Sequence, residues 1–404
     1  MARSLSLAAY MAYARRGGPP LAVPDATRPE GELIWGHAPD AERAAALCQM
    51  AERLAQQRPG VRLLLTTPGE TPPIEAHSLL LHQPVPPDLI APVEAFLDHW
   101  RPDICLWTGG DLRPALLSTA DARSIPLFLL DAEESQFDSP SWRWFPDLPR
   151  SLMDMFAHIQ VRSEDAARQL RRLGVSDADI TRAPPMRPEA VPLPYNEAER
   201  EELAVALRGR PLWLAAHLDP LELDTVLEAR RSVARLSHRS LLIVVPHRDR
   251  DLPVLRERLK EERLPMIDWA DGALPEETTQ IILGEGRGEL GLWYRLAPVS
   301  FIGNSLQSGM EGCNPNEPAV HGSAILYGPN VRRYLAEYSR FAEARAARIV
   351  RDATTLAAAV QSLIAPDQAA IMAHAAWDVA SQGAEATDHI LDLVQDTLDV
   401  VGVQ

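Results

Sequence analysis

The residues best equipped for chemistry lie between positions 288 and 319. Gly303-Asn304-Ser305 follows an apolar run of strand length, and Asn314-Pro315-Asn316-Glu317-Pro318-Ala319 follows in turn. The pattern reads as a strand, a polar glycine-bearing loop and the start of a helix. A helix start presents unpaired N–H groups and the positive end of a dipole, which suits a phosphate. Glu317, one turn inside, is placed to accept hydrogen bonds from the vicinal hydroxyls of a ribose. Gly288 and Glu289 open another helical stretch, and His247-Arg248 end the apolar run Leu241–Val245. An arginine at such a strand edge suits phosphate or carboxylate. Together these parts describe a pocket for a nucleotide-activated sugar. Each also has a plainer reading. Gly, Asn and Pro make ordinary strand-to-helix loops, Glu289 serves equally as a first-turn carboxylate, and Arg248 as a solvated loop residue.

Composition removes several alternatives. The formal net charge of −16 over 404 residues argues against a nucleic-acid binder. Lys260 is the sole lysine and sits in the charged helical run Arg256–Arg263, so P-loop and Schiff-base chemistry are set aside. Cys48, Cys105 and Cys313 are far apart, without CxxC spacing. That pattern predicts a reducing compartment and no zinc site. Leu5–Tyr13 is too short to span a bilayer. Flanked by Arg3, Arg15 and Arg16, it either lies on an anionic membrane surface or packs on its own domain.

These residues need elements to hold them, and apolar runs alternate with helical patterns from about residue 32. Strands are expected at Glu32–Trp35, Val61–Thr66, Ser78–Leu81, Asp103–Trp107, Pro126–Leu130 and His158–Arg162. A second series runs Leu212–Ala215, Leu241–Val245, Met266–Trp269, Gln280–Leu283, Val299–Ile302, Ala324–Leu326 and Arg348–Val350. Such alternation predicts α/β domains built on mostly parallel sheets. Between the series, Ala183 to Pro194 is rich in proline and cannot continue a helix or a central strand. The expected organisation is a domain over 1–182, a linker over 183–200 and a nucleotide-side domain over 201–404 with a helical tail. This is a GT-B arrangement, two doubly wound Rossmann-like domains facing a central cleft, which also serves some sugar-nucleotide epimerases.

Within this frame the order of short motifs resembles one family. In the second half these are Arg210 to Ala216 (Arg-Pro-Leu-Trp-Leu-Ala-Ala), Gly288 to Tyr294, Phe301 to Leu306 and Asn314 to Ala319. In the first half they are Trp35-Gly36-His37-Ala38, Thr66-Thr67, Gln83 to Asp88, His99 to Asp103 and Ser163 to Ala166. The series resembles the 3-deoxy-D-manno-octulosonic acid (Kdo) transferases of lipopolysaccharide synthesis. The resemblance implies an inverting glycosyltransferase with no metal and no cofactor. Its donor would be CMP-Kdo, a CMP-activated sugar, and its acceptor a lipid A precursor. It would work as a peripheral protein at the cytoplasmic face of the bacterial inner membrane. N–H groups around Gly303, Asn304 and Ser305 and the helix at Asn314 would hold the leaving phosphate, with His247, Arg248, Gly288 and Glu289 facing the donor and Glu317 on the ribose.

For the base that activates the acceptor hydroxyl, the resemblance points to the stretch after Trp35-Gly36-His37-Ala38. Glu42 is the nearest match and Asp40 an alternative; Asp40 serves equally as a helix N-cap with Glu42 in the first turn. His37 is a further base candidate or a packing residue at a strand end. Asp111 and Ser163 stand on the acceptor side. The sequence departs from the family pattern at His217-Leu218-Asp219, at Gly109 to Pro114, at Asp131-Ala132-Glu133 and at Cys313. These departures imply a diverged paralogue. The alternative reading is a non-catalytic GT-B protein that binds a partner or a lipid intermediate. Trp142-Arg143-Trp144-Phe145, rich in aromatics, is a second candidate for membrane contact.

Overall fold

The computed structural model describes residues 4–16, 26–69, 78–137, 145, 147–207 and 209–401, in two compact units. Unit one comprises residues 1–189 and 382–404, and unit two residues 190–381. Trp142, Arg143 and Trp144 lie outside the described residues.

Unit one carries strands β1 (Leu33–His37), β2 (Arg62–Thr67), β3 (Leu80–Pro84), β4 (Ile104–Thr108), β5 (Leu127–Ala132), β6 (Phe156–Val161) and β7 (Ile180–Arg182). Its helices are α1 (Leu5–Ala14), α2 (Ala41–Gln57), α3 (Ile90–Trp100), α4 (Pro114–Ala122), α5 (Leu148–Met153) and α6 (Glu164–Arg172). The strands form one sheet in the order β3-β2-β1-β4-β5-β6-β7, every neighbour parallel. β1, β4 and β5 are buried along their whole length, as a sheet covered on both faces demands. The sequence reading missed β7, a three-residue edge strand with no fully buried residue.

Unit two repeats the plan with β8 (Leu212–Leu218), β9 (Leu241–Pro246), β10 (Met266–Asp268), β11 (Ile281–Leu283), β12 (Val299–Ile302), β13 (Ala324–Tyr327) and β14 (Ala347–Ile349). Helices α7 (Glu197–Ala206), α8 (Leu223–Leu236), α9 (Leu252–Glu261), α10 (Leu290–Leu296), α11 (Asn316–Val320), α12 (Leu335–Glu343) and α13 (Ala353–Leu363) flank it. The sheet order is β10-β11-β9-β8-β12-β13-β14, again all parallel. A final helix, α14 (Pro366–Val401), starts in unit two and ends in unit one. The expected boundaries therefore change. The tail from 382 packs with the first sheet, because Ile390, Leu391, Val394 and Leu398 bury among Leu47, Met50, Leu54 and Leu63. The expected linker is also shorter, since Asn196 already caps α7.

In both sheets the strand order reverses at one point, between β1 and β4 in unit one and between β8 and β12 in unit two. Ligands of doubly wound sheets bind outside the C-terminal strand ends at such switch points. Among the described residues no single helix is long and apolar enough to cross a membrane; the bent pair formed by α13 and α14 passes by length and composition alone. Within unit two, α13 buries Leu356, Ala359 and Val360 in the sheet core.

Candidate active site

At the switch point of unit two lies a cavity of about 370 Å³. His217, His247, Arg248, Arg287, Asn304, Cys313, Asn314, Glu317 and Arg333 are among its lining residues. His217 comes from the end of β8, where pairing with β9 slips between Ala215 and Leu218. Such a bulge re-aims a side chain, and His217 takes left-handed backbone at φ +53°. Asn304, just past β12, has the same φ of +53°. Non-glycine residues in that region are uncommon and gather at functional sites.

Glu317 is the charged centre of this wall. It is 7% exposed, and its two oxygens face different partners: Oε2 meets His217 Nε2 at 3.0 Å and Oε1 accepts from Arg287 Nη2 at 2.9 Å. Burial pushes its carboxyl up, but the hydrogen bonds and charges of His217 and Arg287 outweigh that and hold it below the ordinary value. His247 is held below the ordinary imidazole value by burial and by His217 and Arg248. Cys313 Sγ lies 3.6 Å from His247 Nδ1. Burial, then Glu317, pushes this thiol up to about 12.

The expected phosphate cradle is corrected. The N–H groups of Asn304, Ser305 and Leu306 are already taken within the chain. They donate to Glu222 at 2.6, 2.9 and 2.8 Å, and Asp219 N–H adds a fourth bond at 3.3 Å. Glu222 is fully buried, so the chain fills its own anion nest. Gly303 N–H donates to Ala216 O within the sheet. Ser305 Oγ donates to Ile302 O and accepts from Gly328 N–H, so this side chain belongs to the core. α11 has only five residues, and Asn316 N–H is taken by Asn314 Oδ1. Positive charge in the cavity comes instead from Arg248, Arg287 and Arg333. Gly288 and Glu289 stand apart from the cavity lining; Glu289 Oε2 accepts from Glu285 N–H and Trp293 Nε1, which fixes the turn before α10.

In unit one the corresponding strand ends carry an ion network. Arg43 on α2 binds Asp40, buried Asp131 and Glu133, and Arg162 binds Asp131 and Glu133. Asp131 sits at φ +60° where β5 slips against β6. Asp40 is the N-cap of α2, accepting from Arg43 N–H at 2.9 Å. Glu42 is half exposed in the first turn, 3.4 Å from Arg187. His37 is a packing residue. It stacks on Trp107 with ring centres 3.9 Å apart, and its Nδ1 meets Thr66 Oγ1. Burial, with the charge of Arg113, drives it down to about 3, too low for a base at neutral pH. Asp111 is exposed in the loop after β4. Ser163 caps α6 and borders a second cavity, of about 540 Å³, with Glu133, Glu134, Arg162 and Pro185.

Sequence reasoning missed Arg287, Arg333 and Glu222. Arg287 had a visible signal, a cation in the loop between β11 and α10, at the same strand edge as Arg248. Glu222 had a weaker one, an acid three residues after Asp219 in a capping-box pattern.

Two doubly wound parallel units in series, the second with a polar cavity at its switch point, are the parts of a GT-B protein. Residues 13–189 match the family described as 3-deoxy-D-manno-octulosonic-acid transferase (kdotransferase). The chain is 23% identical to the 3-deoxy-D-manno-octulosonic acid transferase of Haemophilus influenzae over 394 residues, 93% of this chain and 89% of that one. With that of Rickettsia bellii it shares 24% identity over 305 residues, 74% of this chain and 72% of the relative. The crystal structure of the C-terminal CMP-Kdo binding domain of WaaA from Acinetobacter baumannii aligns at 23% identity with a TM-score of 0.41, over 47% of this chain and 98% of that domain. The chain is thus similar to the Kdo transferases, a family of glycosyltransferases, over residues 13–189 by the family match and over most of its length by these relatives.

Proposed function

We propose that the chain moves Kdo, or a closely similar sugar, from a CMP-activated donor to a lipid A precursor, inverting the anomeric centre, with no metal ion in the transfer step. The observation that carries this reading is Glu317, a buried carboxylate held ionised on the wall of an arginine-lined cavity. A carboxylate has about four acceptor positions, and His217 and Arg287 use two. Two remain for the hydroxyls of a ribose. Arg248, Arg287 and Arg333 supply charge where the phosphate of CMP leaves, and such groups act most strongly as negative charge develops. The names of the relatives supply the sugar.

On unit one, Glu42 is the proposed base for the acceptor hydroxyl, since Asp40 is committed to its cap and to Arg43. The lipid acceptor supports a peripheral site at the cytoplasmic face of the inner membrane. There Leu5 and Tyr13, exposed on α1 while Leu7 and Tyr10 pack inward, offer contact. The test is CMP release from CMP-Kdo with a tetra-acylated lipid A precursor. Wild-type protein should turn over, and Glu42→Gln should slow it by about 100-fold or more. The non-catalytic reading is favoured by one observation, the nest already filled by Glu222. Absence of turnover together with absent CMP binding in calorimetry would establish it instead.

A further inference from the structure

We propose that the wall of this cavity binds one thiophilic divalent cation of the zinc class through His217, His247 and Cys313. Each offers one ligand atom, and the three atoms lie within 4.8 Å of one another. Zn–N bonds of about 2.0–2.1 Å and a Zn–S bond of about 2.3 Å, at a tetrahedral angle, set nitrogen and sulfur roughly 3.6 Å apart. His247 Nδ1 and Cys313 Sγ stand 3.6 Å apart without a metal. The cation would enter with little movement of these two side chains.

A second observation is independent of that distance. His217 Nε2 is bonded to the buried carboxylate of Glu317, which leaves Nδ1 as the ring's other donor atom. A carboxylate on the far nitrogen of an imidazole fixes the tautomer and raises the basicity of a metal-bound histidine. A Cys313 thiolate offsets one of the ion's two charges, while Glu317, shared with Arg287, orients His217. Two imidazoles and a thiolate select zinc, or cobalt as its stand-in, over magnesium and calcium, which prefer oxygen. The fourth position is left to water. Residue spacing gave no hint of the set, because 217, 247 and 313 are far apart in sequence and meet only at the strand ends.

The site does not rest on the transfer reading, which gives the metal no step, and its test uses no nucleotide. Tag-free, reduced, full-length protein is titrated with Co2+ and then with Zn2+. The expected result is one equivalent of cobalt, a thiolate-to-cobalt charge-transfer band, and its displacement by one equivalent of zinc. Cys313→Ser and His247→Asn should each abolish the band, and Cys48→Ser should keep it. Glu317→Gln, which acts through His217, should weaken zinc binding by about 10- to 100-fold while the band persists at saturation. No stoichiometric band in wild-type protein would overturn the proposal, leaving a plain thiol–imidazole contact. A band that survives Cys313→Ser would overturn it as well.

Discussion

At the scale of single residues, the most consequential side chain is one outside the cavity lining. Glu222 accepts four backbone N–H groups, two on each oxygen, and so shapes the loop that carries Asn304. Glu222→Gln keeps size but turns one oxygen into an NH2 that faces two N–H donors. Two buried donors then lose their partner, at about 1–3 kcal/mol each, and chemical denaturation should show a loss on the order of 3 kcal/mol; an unchanged midpoint would refute the role. His37 gives a pH signature. Its folded value of about 3 lies below the ordinary value of 6.5, so between these the unfolded chain binds the extra proton. Stability is therefore full above pH 6.5 and falls as pH drops toward 3, at up to about 1.4 kcal/mol per unit. His37→Phe, which keeps a ring against Trp107, should flatten that slope in urea melts taken from pH 7 to 4. The sequence announced Glu317, His247, Arg248 and Asn314 as cavity residues because chemistry-bearing types at strand ends are visible in one dimension. The fate of the N–H groups after β12 was not visible. Whether a nest holds a substrate anion or the protein's own carboxylate depends on a residue some eighty positions earlier.

Elements explain why these residues meet. In each unit a strand slips by one position near its C-terminal end, and a buried polar residue in left-handed backbone sits in the slip: Asp131 on β5 and His217 on β8. Each bulge turns a side chain from the sheet interior toward the strand ends, where α/β ligands bind. The buried strands were legible, since they read as continuous apolar runs, and the edge strand β7, with no fully buried residue, was not. Bulges were not, because one extra residue leaves composition and spacing almost unchanged. The ends of β8 and β12 also approach closely at Gly303. A Cβ there would stand 2.6 Å from His217 O and 2.9 Å from Glu222 Oε2. Gly303→Ala must move either the bulge or the nest, and overpacking of this kind costs about 1–3 kcal/mol. The substitution should lower the melting temperature and weaken CMP binding together. Weakened binding with an unchanged melt would mean that Gly303 matters to the ligand alone.

Across the whole molecule, the last helix is what a domain map drawn from sequence misplaces. The proline-rich stretch after Ala183 marks a true change of unit, because proline interrupts both helices and sheets and its sequence signal is local. α14 gives no local signal where it changes unit, since a continuous helix has the same period before and after residue 382. Its contribution is a set of buried side chains, Ile390, Leu391, Val394 and Leu398, packed with α2 and the first sheet. Ion pairs from Arg53 to Asp388 and from Arg58 to Asp399 flank them. Burying each aliphatic chain contributes about 1.5–3 kcal/mol as an upper bound, far more than the exposed ion pairs. A chain ending at Ser381 should therefore lose on the order of 5 kcal/mol from unit one and begin to unfold at lower temperature. CMP affinity should survive, because every residue lining the cavity lies within 190–381. Calorimetric melting beside CMP titration of the shortened chain separates the outcomes. An unaltered melt would show that α14 is dispensable to the first unit, and lost CMP binding would show that unit two needs residues beyond its own sheet.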